Sequence, residues 1–508
     1  MVMLENVKDL TKDKFNQLSL EQQNVIRMEE WAYSMGIQAY TFGLPLTIME
    51  RERKIRLDPD KIAAQKGIAP VAPINQIGHM HRLSTDKDIL PYTPNNDTVY
   101  SGAFLELGAE PIILHVPDIY DRYWSVEVAN AFLNNRFYIG TRATGGQGGN
   151  YAFIGPGWRG ELPEGVIPKR FPYNSVLFAL RINPIEHDRR LKNNPTDIQA
   201  PTKFANPIEL EKVHLVQQQF SLTSLSNWKQ GNFGVAAVPD NISKDTRPDY
   251  DGDLAYFQLI ADLMIENPPA QEHKAAYEPF KYIGLVVGKK FNPDALDEPI
   301  KRGLARAAVM GDQIMQWKVK YRGTPYPTRW NNLREARYGF DYLDRAVGVL
   351  EGLFVHDYEE ALYFSTYESF KGVDEGSVVK GTGEFFDCRQ KYQIHFEPEQ
   401  IPQTKEMGFW SITMYGPDFQ LVTNDIDRFL INNSTPGLEY NDDGSLDIYI
   451  QQDQPSEEHQ QRNWLPCPKY DSNHPNDTLF RLNYRIYLPT DYTLNHRDQF
   501  IPPVKKVS

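Results

Sequence analysis

DTLFRLNYRIYLP, Asp477–Pro489, is the stretch on which the reading of the fold turns. Phe480, Leu482, Tyr484, Ile486 and Leu488 fall on one side of it, and Arg481, Asn483, Arg485 and Tyr487 on the other. Successive strand side chains point to opposite faces. The segment therefore predicts a half-buried strand with an apolar face on a core and an Arg-bearing face open to solvent or ligand.

Working back from this strand, FWSITMY (Phe409–Tyr415) alternates in the same way, as does SLDIYIQ (Ser445–Gln451) after the Asp443-Gly444 turn. Upstream the period changes. Leu254, Phe257, Ala261 and Met264 recur at helical spacing until Asn267-Pro268-Pro269 stops them. Ile300, Leu304, Ala307, Gly311 and Ile314 mark a second helix, and Tyr342, Ala346, Val349 and Leu353 a third. Asn206-Pro207 reads as a helix N-cap with proline at the first helical position. Before the polar, proline-rich stretch Leu191–Pro207, the period is two again, in Ile112–Val116, Tyr123–Ala129 and Ser175–Ile182. Short strands separated by turns at intervals of about 8–12 residues suggest a sandwich. The first ~45 residues read as helical, followed by a loop containing Pro59, Pro70 and Pro73.

The expected fold class is a multidomain, mainly β protein: two β-sandwich or jelly-roll-like domains joined by a helical region. The boundaries are an N-terminal helical segment at 1–69, a β domain at 70–190, helices at 206–363 and a second β domain at 372–508. A chain of 508 residues exceeds what one core usually supports. Charged residues make up 24% and hydrophobic residues 41%, which suits a globular chain. The net charge is -13, and no basic run exceeds short pairs such as Lys289-Lys290, which disfavours nucleic acid and anionic membrane as partners. No apolar run approaches a membrane span, and the N-terminus lacks the basic and apolar regions of an export signal. A soluble, cytoplasmic protein is expected. Cys388 and Cys467 are the only cysteines, either two ordinary thiols or one disulfide.

Three groups carry candidate chemistry. His79 and His81 flank Met80 and would share a strand face, so they could bind one divalent metal together; otherwise they are loop histidines. Asn95, Asn96, Asp97 and Thr98 precede the strand beginning Val99-Tyr100. Asp97, with Asn96, Tyr100 and His79, is a candidate catalytic set, Asp97 serving as general base. The competing reading is a turn that starts a strand, and Asn476-Asp477-Thr478 repeats the grammar before the opening strand. In the C-terminal region, Arg428 and Arg485 could clamp a carboxylate or a sugar substituent. Trp464 could stack on that group, with Asp453 nearby among the candidate substrate-binding residues. No GxSxG, GxxxxGK[ST], HExxH or strand-linked GxGxxG is present, and no haem signature, which disfavours serine-hydrolase, nucleotide and haem readings.

PNNDTVYS, then VPD-x-x-x-RYW, Tyr151 and GPGWRGELPEG, resemble the N-terminal part of a two-part family, the domain of unknown function 1254. FWSITMY, NDIDRFLI, TPGLEYNDDGSLDIYIQQDQP, NWLPCP and RIYLP resemble its usual partner, the domain of unknown function 1214. DYLDRAVGVLEG and EEALY are similar to the family's linker, and the resemblance covers most of residues 70–490. It implies an immunoglobulin-like or jelly-roll β domain joined through helices to a second jelly roll, but no reaction. Relatives are often exported. The family motif NQxxH appears as Asn75, Gln76 and His79; His81 stands where the family has arginine, with Arg82 beside it.

The expected function is small-molecule binding, as an enzyme of hydrolase or lyase type acting on a polar or carbohydrate-like substrate. The alternatives are a homo-oligomeric scaffold built from two β-sandwiches and a metal-dependent enzyme using the His79–His81 pair.

Overall fold

The computed structural model describes residues 11–90, 93–187, 206–238, 247–319, 323–366, 385–469 and 478–507. Most of the boundary stretch Leu191–Pro207, together with Asn476 and Asp477 of the repeated turn, lies outside them.

The opening strand is β19 (Leu479–Pro489), and it runs through the middle of a seven-stranded sheet. Its neighbours are β12 (Ala361–Ser365) and β15 (Thr404–Tyr415), both antiparallel. Beyond β12 lie β11 (Asn331–Asn332) and β10 (Thr324–Pro325); beyond β15 lies β16 (Leu430–Asn432). β13 (Phe386–Asp387) also pairs with β19. The facing sheet has the order β18 (Trp464–Pro466), β17 (Leu446–Gln451), β14 (Lys391–Phe396) and β20 (Val504–Val507). The alternation of β19 sorts its side chains between the two sides. Phe480, Leu482, Tyr484 and Ile486 join one core with Ile394, Phe396, Ile448 and Ile450 of the facing sheet. Burying each such side chain contributes about 1.5–3 kcal/mol.

The N-terminal β region is also built from two sheets. One has the order β1 (Gly78–His79), β2 (Val99–Glu106), β8 (Ser175–Ile182), β4 (Trp124–Asn130) and β5 (Asn135–Gly140). The other has the order β7 (Val166–Arg170), β6 (Gly149–Ile154), β3 (Ile112–Val116) and β9 (Ser221–Ser224). Val99, Leu105, Val126 and Leu180 of the first sheet share a core with Leu114, Phe153 and Leu222 of the second. β4 and β8 are buried on both faces, because helices cover the side away from that core.

The first long helix, α1 (Leu20–Leu57), opens with a Ser19/Gln22 capping box. Its Ile48 and Met49 pack on Phe104 and Leu177 of the first sheet. The expected loop after it is partly helical: Pro59 begins α2 (Pro59–Gln65) behind an Asp58 N-cap, where its missing N–H costs nothing. α3 (Pro207–Gln217) has the expected Asn206 cap, reinforced by Glu209. The three periodic segments are α4 (Ala255–Glu266), α5 (Glu298–Val319) and α6 (Tyr342–Glu351). α1 shares a core with α4 and α5, so the N-terminal helix and the central helices form one layer.

The mixed α/β chain thus has two β-rich regions joined by a helical stretch. Two strand sets cross the sequence boundaries. β9 pairs with β3 although it lies beyond residue 190, and β10 to β12 belong to the C-terminal sheet although they precede residue 372. Among the described residues, no helix is long and apolar enough to cross a membrane.

α1 and α5 approach closely. A Cβ at Gly303 would overlap the Glu29 carbonyl, and one at Gly311 the Tyr40 ring. Gly303→Ala, despite alanine's better helix propensity, is expected to lower stability by about 1–3 kcal/mol through overpacking. Urea denaturation checks this, and an equal or higher midpoint would show that the helices can part at no cost.

Candidate functional site

Where the first N-terminal sheet meets the β19 sheet they leave a cavity of about 510 Å³. α1, α2, the segment 84–90 and the loop after α6 complete its walls. Two cross-strand Tyr–Arg pairs line it. Tyr100 sits opposite Arg181 in the β2–β8 ladder, and Tyr363 opposite Arg485 in the β12–β19 ladder. Asn483 and Arg481, two and four residues back from Arg485, line it too, so this is the face that the alternation of β19 marks as polar.

The two arginines are nearly sealed, at 3% exposure for Arg181 and 4% for Arg485. Arg181 has a carboxylate partner. Its Nη1 donates to Glu127 Oε2 at 2.5 Å, its Nε to the Tyr100 hydroxyl at 3.1 Å and its Nη2 to the Phe354 carbonyl at 2.6 Å. Burial alone would raise the Glu127 carboxyl, but His356 and Arg181 beside it bring it down to about 2. Burial and Arg181 hold His356 below its usual value. Arg485 is held differently. Its Nη1 donates to Thr413 Oγ1 at 3.0 Å and its Nη2 to the Tyr415 hydroxyl at 2.9 Å. Burial works against the Arg485 charge, and Tyr415, Tyr487, Asp97 and Tyr363 around it outweigh that and raise its value.

Asp97 stands behind this floor. It is fully buried and does not line the cavity. Asp97 Oδ2 accepts from Ser411 Oγ at 2.5 Å, and Oδ1 from Asn432 Nδ2 at 3.4 Å. Burial raises its carboxyl against the opposing pull of Arg485, Ser411 and Asn432. The preceding residues form an Asx turn in which Asn95 Oδ1 accepts from the Asp97 N–H at 2.6 Å. Asn95 Nδ2 donates to the hydroxyls of Tyr487 at 2.7 Å and Tyr100 at 3.2 Å. Asn96 Nδ2 donates to the Ser84 carbonyl. The turn therefore bolts the N-terminal region onto β15, β16 and β19.

Of the predicted site residues, Tyr100 and Arg485 line the cavity, while Asn96 and Asp97 support it from behind. His79 does not line it; its Nδ1 is 2.7 Å from Ser101 Oγ. His81 stacks edge-on against His214, with ring centroids 5.5 Å apart. Among the described residues, no group of three or more His, Cys, Asp or Glu side chains is placed to hold a metal. The other three C-terminal candidates are elsewhere. Arg428 Nη1 donates to the carbonyls of Gln461, Arg462 and Trp464, which makes it a loop fastener. Trp464 is buried, with Nε1 donating to the Gln451 carbonyl at 2.8 Å. Asp453 is exposed. Cys388 and Cys467 are buried and not joined by a disulfide; Cys467 Sγ donates to the Cys388 carbonyl at 3.9 Å.

Arg181, Glu127 and Tyr363 were not singled out from the sequence. The signal was there for the first two: each is a lone charge inside an otherwise apolar strand, in SVLFALRI and YWSVEVA. Backbone strain marks the same place. Thr93, Phe354 and Phe419 line the cavity with φ of 41°, 62° and 67°. Such conformations cost on the order of 1–3 kcal/mol each and persist where surrounding structure enforces them.

Residues 74–223 match the family described as Protein of unknown function (DUF1254), and residues 377–491 match Protein of unknown function (DUF1214). The chain belongs to the two-part family that combines them. Among solved structures, the VPA0106 protein from Vibrio parahaemolyticus is similar at 19% identity and a TM-score of 0.64, covering 94% of this chain and 100% of that one. This likeness establishes a shared fold. An uncharacterized protein from Burkholderia cenocepacia aligns at 10% identity and a TM-score of 0.40, over 96% of this chain and 98% of that one. No curated protein matches the chain.

Burial, reinforced by His81 and His214, lowers His79 from 6.5 to about 4. Between those values the unfolded chain binds a proton that the folded chain refuses, so stability falls as pH drops from about 6.5 to 4. His79→Gln is expected to flatten that part of the stability–pH curve, read as Tm. Parallel curves for the two proteins would contradict it.

Proposed function

We propose that this chain is a small-molecule-binding protein whose ligand sits in the cavity between its two β-rich regions. The observation that carries the reading is the convergence of the Tyr100–Arg181 and Tyr363–Arg485 pairs on one cavity whose walls mix apolar and polar residues. Buried charge is a poor way to gain stability, because well-packed apolar residues of similar size do as well or better. Charged residues buried at a cavity, beside three strained residues, are better accounted for by a ligand than by packing. The volume of about 510 Å³ is ordinary for a small-molecule site. Ile55, Ile68, Leu177 and Leu353 in the lining favour a ligand with an apolar portion over a fully polar sugar.

An enzymatic reading rests on Tyr100. Its oxygen accepts from both Arg181 Nε and Asn95 Nδ2, which leaves the hydroxyl proton available to a bound molecule. Tyr100 is then the acid of a hydrolase- or lyase-type step, and Asp97 and Asn95 are positioning residues. The alternative of jelly-roll sandwiches serving as a homo-oligomeric scaffold leaves the Tyr–Arg pairs without a role.

A thermal-shift screen of small metabolites on the full chain, repeated with Ile68→Trp, tests the binding reading. The expected result is a set of compounds that raise the Tm of the wild type and lose their effect when tryptophan fills the wall. Equal shifts in both proteins would place the binding elsewhere.

A further inference from the structure

Building on the cavity reading, we infer that the ligand is an amphipathic monocarboxylate, with its carboxylate on Arg485 and its apolar chain along Ile55, Ile68, Leu177 and Leu353. The two arginines at the floor differ in their ion pairing. Arg181 already has a carboxylate partner in Glu127. Arg485 has no ion pair with any carboxylate among the described residues. Its bonds go to Thr413 Oγ1, the Tyr415 hydroxyl and, at 3.5 Å, the Thr93 carbonyl. A guanidinium has five N–H donors in a planar fork, and each arginine makes three hydrogen bonds, so what sets Arg485 apart is the lack of a carboxylate partner among the described residues. Asp97 acts on Arg485 through space, with its own oxygens turned to Ser411 and Asn432.

A guanidinium that is 4% exposed and borders a cavity is a strong receptor for a single carboxylate, since charge-assisted bonds strengthen out of water. Tyr363, its cross-strand neighbour, lines the same cavity and carries a hydroxyl that can donate to a carboxylate oxygen. The remaining charges of the lining do not oppose an anion at that end. Glu52 is bridged to Arg56 and Asp88 to Arg82, while Glu351 is half-buried at the end of α6. Arg481 Nη2 donates to Ser365 Oγ and to Asn483 Oδ1. Arg485, with no carboxylate partner among the described residues, offers a place for one carboxylate, and Ile55, Ile68, Leu177 and Leu353 offer apolar contact to the rest of the ligand.

Octanoate, 1-octanol and acetate, titrated calorimetrically into the full chain, separate the head from the tail. The expected result is octanoate binding about 10- to 100-fold more tightly than 1-octanol, the range for a hydrogen bond to a charged group, with acetate weaker than both. Arg485→Gln should abolish the preference for octanoate while leaving 1-octanol binding in place, and Ile68→Trp should remove both. Equal affinities of octanoate and 1-octanol for the wild type would overturn the carboxylate assignment while leaving the cavity reading intact. Octanoate binding that survives Ile68→Trp, or no binding by either chain compound, would overturn the cavity reading and this inference with it. If Arg485→Gln does not fold, Tyr363→Phe serves as the second variant, with a smaller loss expected for octanoate alone; an unchanged preference there would count against the assignment.

Discussion

Arg181 and Arg485 approach one cavity from facing sheets with almost no contact with water, and the rest of the structure is arranged around that constraint. A buried charge is tolerated only when paired or hydrogen-bonded. Glu127 on β4 answers Arg181 within the N-terminal sheet. Arg485 is answered across the two regions, by Asp97 in the turn before β2 together with Thr413 and Tyr415. The NNDT turn is therefore the link that lets the second sheet carry its arginine.

The same interface explains why the two β regions act as one unit. Asn95 reaches Tyr487, Asp97 accepts from Ser411, and Tyr415 donates to the Pro94 carbonyl at 2.9 Å. A second buried link joins Tyr123 and Arg142 to Glu360, at 2.9 and 2.6 Å. Separation of the regions would exchange each of these bonds for water, so each contributes about 0.5–1.5 kcal/mol net to holding them together. The helical layer then closes the cavity from the side, through the end of α1, through α2 and through the strained loop at Phe354.

Period-two and helical patterns were legible in the sequence because they are local. β19 shows its apolar and Arg-bearing faces in the bare string, and the three central helices lie where their stripes place them. Long-range pairing was not legible. Nothing local in SLTS at Ser221–Ser224 says that it completes the sheet of β3. Side-chain type alone also does not tell a cavity arginine from a fastening one: Arg428 and Arg485 read alike, yet one holds three carbonyls and the other borders the cavity. Asp97 shows the limit from the other side. The sequence offered a base or a strand start, and the fold makes it a buried carboxyl, hydrogen-bonded to Ser411 and Asn432, one layer behind the surface that a ligand would touch.

Arg485 is the group proposed to make this cavity a receptor for a carboxylate. The most direct measurement is carbon-13 NMR of octanoate labelled at its carboxyl carbon, titrated with pH while bound to the full-length protein. Contact with a buried guanidinium favours the ionised form, so the bound carboxyl is predicted to titrate at lower pH than the free acid. A bound carboxyl that titrates at the same pH or higher, as in a purely apolar pocket, would contradict it.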